Sequence, residues 1–398
     1  DITGTIAVKN NSDGITLLNS SNNQIGGANA GEGNLLSGNG GRGIQLNGGT
    51  PPTTLNKILG NKIGTDVTGK IALGNTSDGI FLTGNANENQ IGGATAGERN
   101  IISGGNSNGI SMRSFGTSSP KLNKIQGNFI GTDVTGTADL GNRFIGISIT
   151  GGVDNLIGGA NAGERNIISG NDSLGISINS NVSTTLIAAQ GNKIWGNYIG
   201  TDVTGTLDLG NTSMGIGIAG AVNNTIGGSV VGEGNVISGN DRDGIYIVGA
   251  TFTLNGTPTL VPSSFNKVQG NFIGTQANGL TALGNAFAGI VIIDSTSNLI
   301  GGTNANEGNT IAFNDAGVVI NNQASPATIS NQNSIQGNSI FSNTQLGIQL
   351  SQVRPTAAPF KYYNGAVKAN DAGDTDDGPN NFQNYPVLTA ACFYNTNP

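Results

Sequence analysis

The sequence predicts an all-β solenoid, a parallel β-helix with three short strands per turn and about ten turns, and three observations carry that prediction. A Gly-Ile dipeptide opening a short apolar run recurs at Gly14, Gly43, Gly79, Gly109, Gly146, Gly175, Gly215, Gly244, Gly289 and Gly347, with Gly317-Val318 as a variant. Within each turn, three apolar runs alternate inward and outward residues, and Gly, Asn and Ala separate them, as strands joined by tight turns require. Finally, two registers of asparagine survive every change in repeat length.

The first register is Asn23, Asn56, Asn89, Asn123, Asn155, Asn192, Asn224, Asn266, Asn298 and Asn333, each two residues before an aliphatic residue such as Ile25, Ile91 or Ile157. The second is Asn34, Asn61, Asn100, Asn128, Asn166, Asn197, Asn235, Asn271, Asn309 and Asn338. A carboxamide both donates and accepts, so Asn residues stacked one strand spacing apart, about 4.8 Å, bond to one another and to turn backbone. The expected structure therefore has internal Asn ladders at the bends and stacks of Ile between them.

Taken in order, residues 1–13 read as the last part of a preceding turn, with a capping strand over residues 5–8 that covers one open edge. Residues 14–350 form the coil. Residues 79–106 show one turn: Ile80, Phe81 and Leu82, then Asn89, Gln90 and Ile91, then Asn100, Ile101, Ile102 and Ser103. Two kinds of turn alternate, a short one carrying IGGxxAGExN and a long one carrying GTDVTGTxxLGN, and length varies only in these Gly/Thr/Asn segments. From residue 351 the pattern stops, and residues 351–398 read as a cap or tail in which Phe360, Tyr362 and Tyr363 replace the ladder.

Helical repeats would need 3.6-periodic runs that are absent, and this much Gly and Asn would break them. The motifs NxIGGxxAGExNxISGN and NxIGTDVTGTxxLGN are similar to those of right-handed parallel β-helices of the pectin-lyase-like superfold. More closely, they resemble the Asn/Gly-rich repeats of large secreted bacterial surface proteins. That resemblance covers about residues 14–350 and implies architecture; the superfold hosts lyases, hydrolases, epimerases, adhesins and fibres.

Charge is sparse and slightly acidic, 17 Lys+Arg against 24 Asp+Glu, which argues against nucleic acid as a partner. No apolar run is long enough to span a bilayer, so no membrane insertion is expected. A single cysteine, Cys392, excludes an intrachain disulfide framework. The chain starts at Asp1 with neither Met nor a leader, as a processed or truncated product would.

With no histidine, His-containing triads, His-bound zinc and the GHG signature of polygalacturonases are impossible in this chain. Outward residues of the Gly-Ile strand (Thr16, Gln45, Phe81, Ser111, Ser148, Ser177, Gly217, Tyr246, Val291, Val319, Gln349) carry no charge. The loop acids Glu32, Glu98, Glu164, Glu233 and Glu307, with Asp66, Asp133 and Asp202, recur once per long period, which speaks for capping of turn amides, with Ca²⁺ held between loops and catalysis by a carboxylate pair as the alternatives. Asp241-Arg242-Asp243 is the one unrepeated charged cluster and reads as a solvated turn, with a lyase-like remnant as the alternative. Lys57, Lys124, Lys193 and Lys267 form a column about 10 Å apart. It reads as charge that keeps a flat sheet soluble, with an anionic polysaccharide as the alternative partner.

An apolar stripe on the third strand, Ile101, Phe129, Ile167, Tyr198, Val236 and Phe272, is expected to be plugged by Leu73, Leu140, Leu209 and Leu283 or to serve as an interaction surface. Asp371, Asp374, Asp376 and Asp377 are the candidate Ca²⁺ ligands of the tail, by their hard oxygens beside a Gly-containing turn. No catalytic residue and no other cofactor is assigned. The resulting expectation is a non-enzymatic extracellular structural or adhesive rod of a bacterial surface protein or filament, associating with itself or its parent polymer. The alternatives are a carbohydrate-active enzyme of the same fold, either polysaccharide lyase or glycoside hydrolase, and a non-catalytic polysaccharide-binding module.

Overall fold

A computed structural model describes residues 3–351 except 183–184, 255 and 324–329. The three runs of each turn become strands, and each strand pairs in parallel with its counterpart one turn on. The first sheet has eleven strands, from Ile15–Leu18 to Ile348–Ser351. The second has ten, from Gln24–Gly26 to Ser334–Gln336, and the third has ten, from Leu35–Leu36 to Ser339–Phe341. Coiling in one sense with parallel pairing yields the expected right-handed parallel β-helix.

Register explains the core. Ile44 pairs with Ile80, Ile80 with Ile110 and Ile110 with Ile147, so β-branched side chains stack in columns, and all four are fully buried. Such columns suit a narrow interior, because a stiff branched side chain loses little rotamer freedom in a strand.

Both Asn ladders are present. Asn155 donates Nδ2 to Asn192 Oδ1 at 3.0 Å and to Pro120 O at 3.2 Å, while its own Oδ1 accepts from the Asn123 amide and Nδ2, each at 3.0 Å. A third ladder, which the sequence reading missed, runs from Asn142 through Asn171, Asn211, Asn240, Asn285 and Asn314 to Asn343. Its earlier part joins Asn10, Asn39 and Asn75. The signal was visible in the recurrent SGN and LGN triplets. Between the parts the sequence SGGN carries an extra residue, and Gly105 takes the station of an asparagine; its amide alone reaches Asn142 Oδ1, at 3.1 Å.

The expected capping strand over residues 5–8 does not form. Residues 3–10 follow instead the loop of the long turns. Thr3 and Thr5 hydroxyls meet at 2.7 Å, as Thr135 and Thr137 do, and the Val67 amide donates to Gly4 O as the Val134 amide does to Gly69 O. DITGT repeats DVTGT, so local loop chemistry prevails over the β-propensity of Ile6, Ala7 and Val8.

The apolar stripe of the third sheet is covered from within the chain. Ile101, Phe129, Ile167 and Val236 are buried. Val134 and Val203 pack with Tyr198 against this cluster, and the Arg99 and Arg165 guanidiniums lie 4.1 and 4.0 Å over Phe129 and Tyr198. Around Phe272 the close neighbour is the loop at Gly279. The stripe is therefore not a free interaction surface, and valines and arginine stacks do the covering, while Leu73, Leu140, Leu209 and Leu283 stay half-buried.

Candidate functional site

Repetition removes most of the charged residues from consideration. Glu98 accepts from the Thr95 amide at 3.0 Å and Glu164 from that of Asn161 at 3.1 Å, each closing a short 3₁₀ turn. For Asp202, burial pushes the carboxyl upward, but the Leu207 amide, the Thr204 hydroxyl and the Thr206 amide outweigh it and hold the group below its ordinary value. These acids are spent on turn backbone.

The Lys column is real and exposed, with Gln90, Leu156 and Thr225 between its members. It is not an isolated positive strip. Glu307 lies close enough to Lys267 that, after the Asn304 bonds, the ammonium helps to hold its carboxyl low.

The outward face of the first sheet differs in that its side chains do not follow the alternation of short and long turns. Its floor runs Gln45, Phe81, Ser111, Ser148, Ser177, Gly217, Tyr246. Along one margin stand excursions that follow the strands: a bridge between Phe115 and Ser118, and hairpins of Asn181–Val182 with Leu186–Ile187 and of Ala250–Leu254 with Thr257–Val261. Asn181 Nδ2 reaches back to Ser114 Oγ at 2.9 Å, linking excursions two turns apart. Along the other margin lie the residues just before each Gly-Ile pair.

At that second margin one station recurs. Asp13 Oδ1 accepts the Arg42 amide at 2.7 Å, Asp78 Oδ1 that of Asn108 at 3.2 Å, Asn108 Oδ1 that of Ile145 at 3.0 Å, and Asp243 Oδ1 that of Ala288 at 3.1 Å. Each side chain caps the next turn. What differs is the second oxygen. Asp13 Oδ2 faces Arg42 Nη1 at 3.7 Å, whereas Asp243 Oδ2 is buried with no partner.

Asp243 has no solvent exposure, so it is not part of a solvated turn; Asp241, two residues earlier, is exposed. Its surroundings change character beyond Tyr246. Ala288, Val291, Ile293, Ala316 and Val319 form an apolar cluster with Tyr246 and Val248 on the outward side, where the alternation alone had promised a wet face. Burial among such groups pushes the Asp243 carboxyl up to about 7, against the Ala288 bond and the neighbouring Arg242 charge, which both lower it. Arg242 in turn lies 5.7 Å from the Phe287 ring, and Asp315 stacks on Phe287 through an amide bond of 2.8 Å to its carbonyl. Sequence reasoning singled out the Asp243 cluster but misjudged its burial, because the residue that meets it, Ala288, comes from the next turn.

Asp371, Asp374, Asp376 and Asp377 lie outside the described residues. Among the described residues no helix is long and apolar enough to cross a membrane.

No protein-family profile and no curated protein matches the chain. Solved structures do. A periplasmic alginate epimerase, AlgG, matches at a TM-score of 0.37 and 13% identity over 78% of this chain and 59% of its own. The A-module of the Azotobacter vinelandii mannuronan C-5 epimerase AlgE4 matches at 0.33 and 16%, over 88% and 90%. The catalytic domain of a GH87 α-1,3-glucanase in complex with nigerose matches at 0.29 and 12%, over 77% and 60%. The chain spans less than two-thirds of the length of AlgG. The expectation of a non-enzymatic structural or adhesive rod is corrected here, since the solved structures that match the coil are named as polysaccharide enzymes. The three parallel sheets establish the fold independently of that likeness: this chain is a right-handed parallel β-helix.

Proposed function

We propose that the protein is a carbohydrate-active enzyme that lays a polysaccharide along the outward face of the first sheet and uses Asp243 as a proton donor. The observation that carries this reading is the buried, half-partnered carboxyl of Asp243, raised to about 7 and therefore able to hold a proton near neutral pH. Asp315 supplies the complementary group. Asp243 and Asp315 belong to margins two turns apart, about 10 Å between backbone positions, and inverting glycoside hydrolysis uses carboxyl separations of about 6.5–9.5 Å. Asp243 gives its proton to the glycosidic oxygen as the bond to the anomeric carbon breaks. Asp315 takes a proton from the water that attacks that carbon, leaving one new reducing end. A polymeric glycan as substrate goes with an extracellular or cell-surface location, and the chemistry calls for no cofactor.

The test is release of reducing ends and of unsaturated products from a panel of neutral and acidic polysaccharides. Hydrolysis is expected on at least one, with Asp243→Asn slowing it at least about 100-fold, the scale on which general acids act, while the folded fraction stays unchanged. A complete lack of product across the panel ends the enzyme reading. A second reading, non-catalytic polysaccharide binding, is favoured by the closure of Asp243 to solvent; it predicts binding without release.

A further inference from the structure

Of the six arginines among the described residues, four are tied into the protein. Arg42 bonds Gln45 and faces Asp13 and Phe81; Arg99 and Arg165 donate Nε to the Gly127 and Gly196 carbonyls beneath their ring contacts; Arg242 lies beside Phe287. Arg113 and Arg143 are different. Both are exposed, and neither guanidinium has a hydrogen bond or an ion pair. Arg143 lies 5.9 Å from the ring of its neighbour Phe144.

These two arginines belong to adjacent turns of the first sheet. Strands Ile110–Arg113 and Ile147–Thr150 pair with Ser111 opposite Ser148, so Arg113 stands where the outward hydroxyl floor meets one margin and Arg143 where it meets the other. Each margin also offers a ring. Phe115 is 78% exposed and Phe144 50%. Neither arginine forms an ion pair with Asp78 or with Asp172, which lies one turn beyond Arg143.

We propose that Arg113 and Arg143, with Phe115 and Phe144, form a subsite for sugar units bearing carboxylate or sulfate, so that the polysaccharide held on the first sheet is acidic. A guanidinium fork matches such oxyanions two bonds at a time, and an exposed ring packs on the apolar face of a pyranose. Between them Ser148, part-exposed, offers a hydroxyl, while Ser111 is buried and accepts from Asn108 Nδ2. Strand spacing puts Asp243 four turns further along the same face, about 19 Å away, a distance a short oligosaccharide spans. The proposal deepens the polysaccharide reading and rests on it only for the orientation of the glycan.

The decisive experiment is calorimetric binding of the intact chain to a uronate hexasaccharide and to a neutral hexasaccharide of the same linkage. Tighter binding of the uronate by at least tenfold is expected, with Arg113→Gln and Arg143→Gln each losing about tenfold and Arg143→Lys recovering part of it. Equal affinity for both sugars, or affinity untouched by either Gln variant, overturns the subsite, and so does competition by a DNA hexamer at equal strength, which would mark unspecific attraction. Uronate binding through the two arginines without cleavage upholds the subsite while ending the enzyme reading, whereas cleavage of a neutral glycan with unaltered rates in the Gln variants does the reverse.

Discussion

Asp13 and Asp243 occupy the same station of the coil, seven turns apart, and end with different surroundings for the second carboxylate oxygen. Each caps the amide of the following turn. Asp13 then completes its second oxygen with Arg42 at a part-exposed margin, while Asp243 is fully buried and keeps an oxygen without a hydrogen-bond partner. The backbone does not dictate the difference; the neighbours supplied by the next two turns do. In a solenoid, function is therefore to be sought where a repeated station acquires unrepeated surroundings.

Variants sharpen this contrast, beginning with the ladders, where every station is satisfied. Asn155→Leu strips acceptors from the Asn123 amide and Nδ2 and leaves Asn192 Oδ1 and Pro120 O short of donors. A loss of about 1–3 kcal/mol for each group left unpaired is expected in denaturant unfolding. A smaller effect is expected for Asp202→Ala, about 1–3 kcal/mol in total, since Asp202 serves the amides of Thr206 and Leu207. Because that carboxyl is held below its ordinary value, its contribution is present above the unfolded pKa and fades as pH falls through the folded one. The gap between Asp202→Ala and the unaltered chain should thus narrow in acid, and a gap that widens there would count against the capping role.

Gly105→Asn should gain about 1 kcal/mol by joining the two parts of the third ladder. A Cβ there meets only Asn142 Oδ1, at 3.0 Å, and the backbone needs no left-handed φ. A destabilised variant would show that the gap serves some other purpose. Asp13→Asn is expected to do least, within about 1 kcal/mol, because a part-exposed ion pair contributes little and the amide cap is kept.

The sequence disclosed what repeats. Registers of Ile and Asn at fixed offsets made the coil, the strand count and two ladders legible, because identical stations stack on one another and need identical side chains. Long-range covering was less legible. That Val134 and Arg99 close over Phe129, or that Asp243 is buried with its Oδ1 on the Ala288 amide, depends on residues from different turns meeting outside the regular pattern. The pair Arg113 and Arg143 was hidden for a simpler reason: one outward residue was read per strand, and Arg113 stands at the second outward position.

The central claim is that Asp243 stays protonated near neutral pH, and the pH dependence of unfolding free energy for the unaltered chain and for Asp243→Asn tests it directly. A raised folded pKa means that the stability linked to the group is complete below its unfolded pKa of 3.8 and is lost as pH rises to about 7. Relative to Asp243→Asn, the unaltered chain should therefore lose on the order of 4 kcal/mol between those limits and then level off. Two curves that run parallel from pH 4 to 8 would contradict the account, since they would mean that this carboxyl ionises as freely in the fold as out of it.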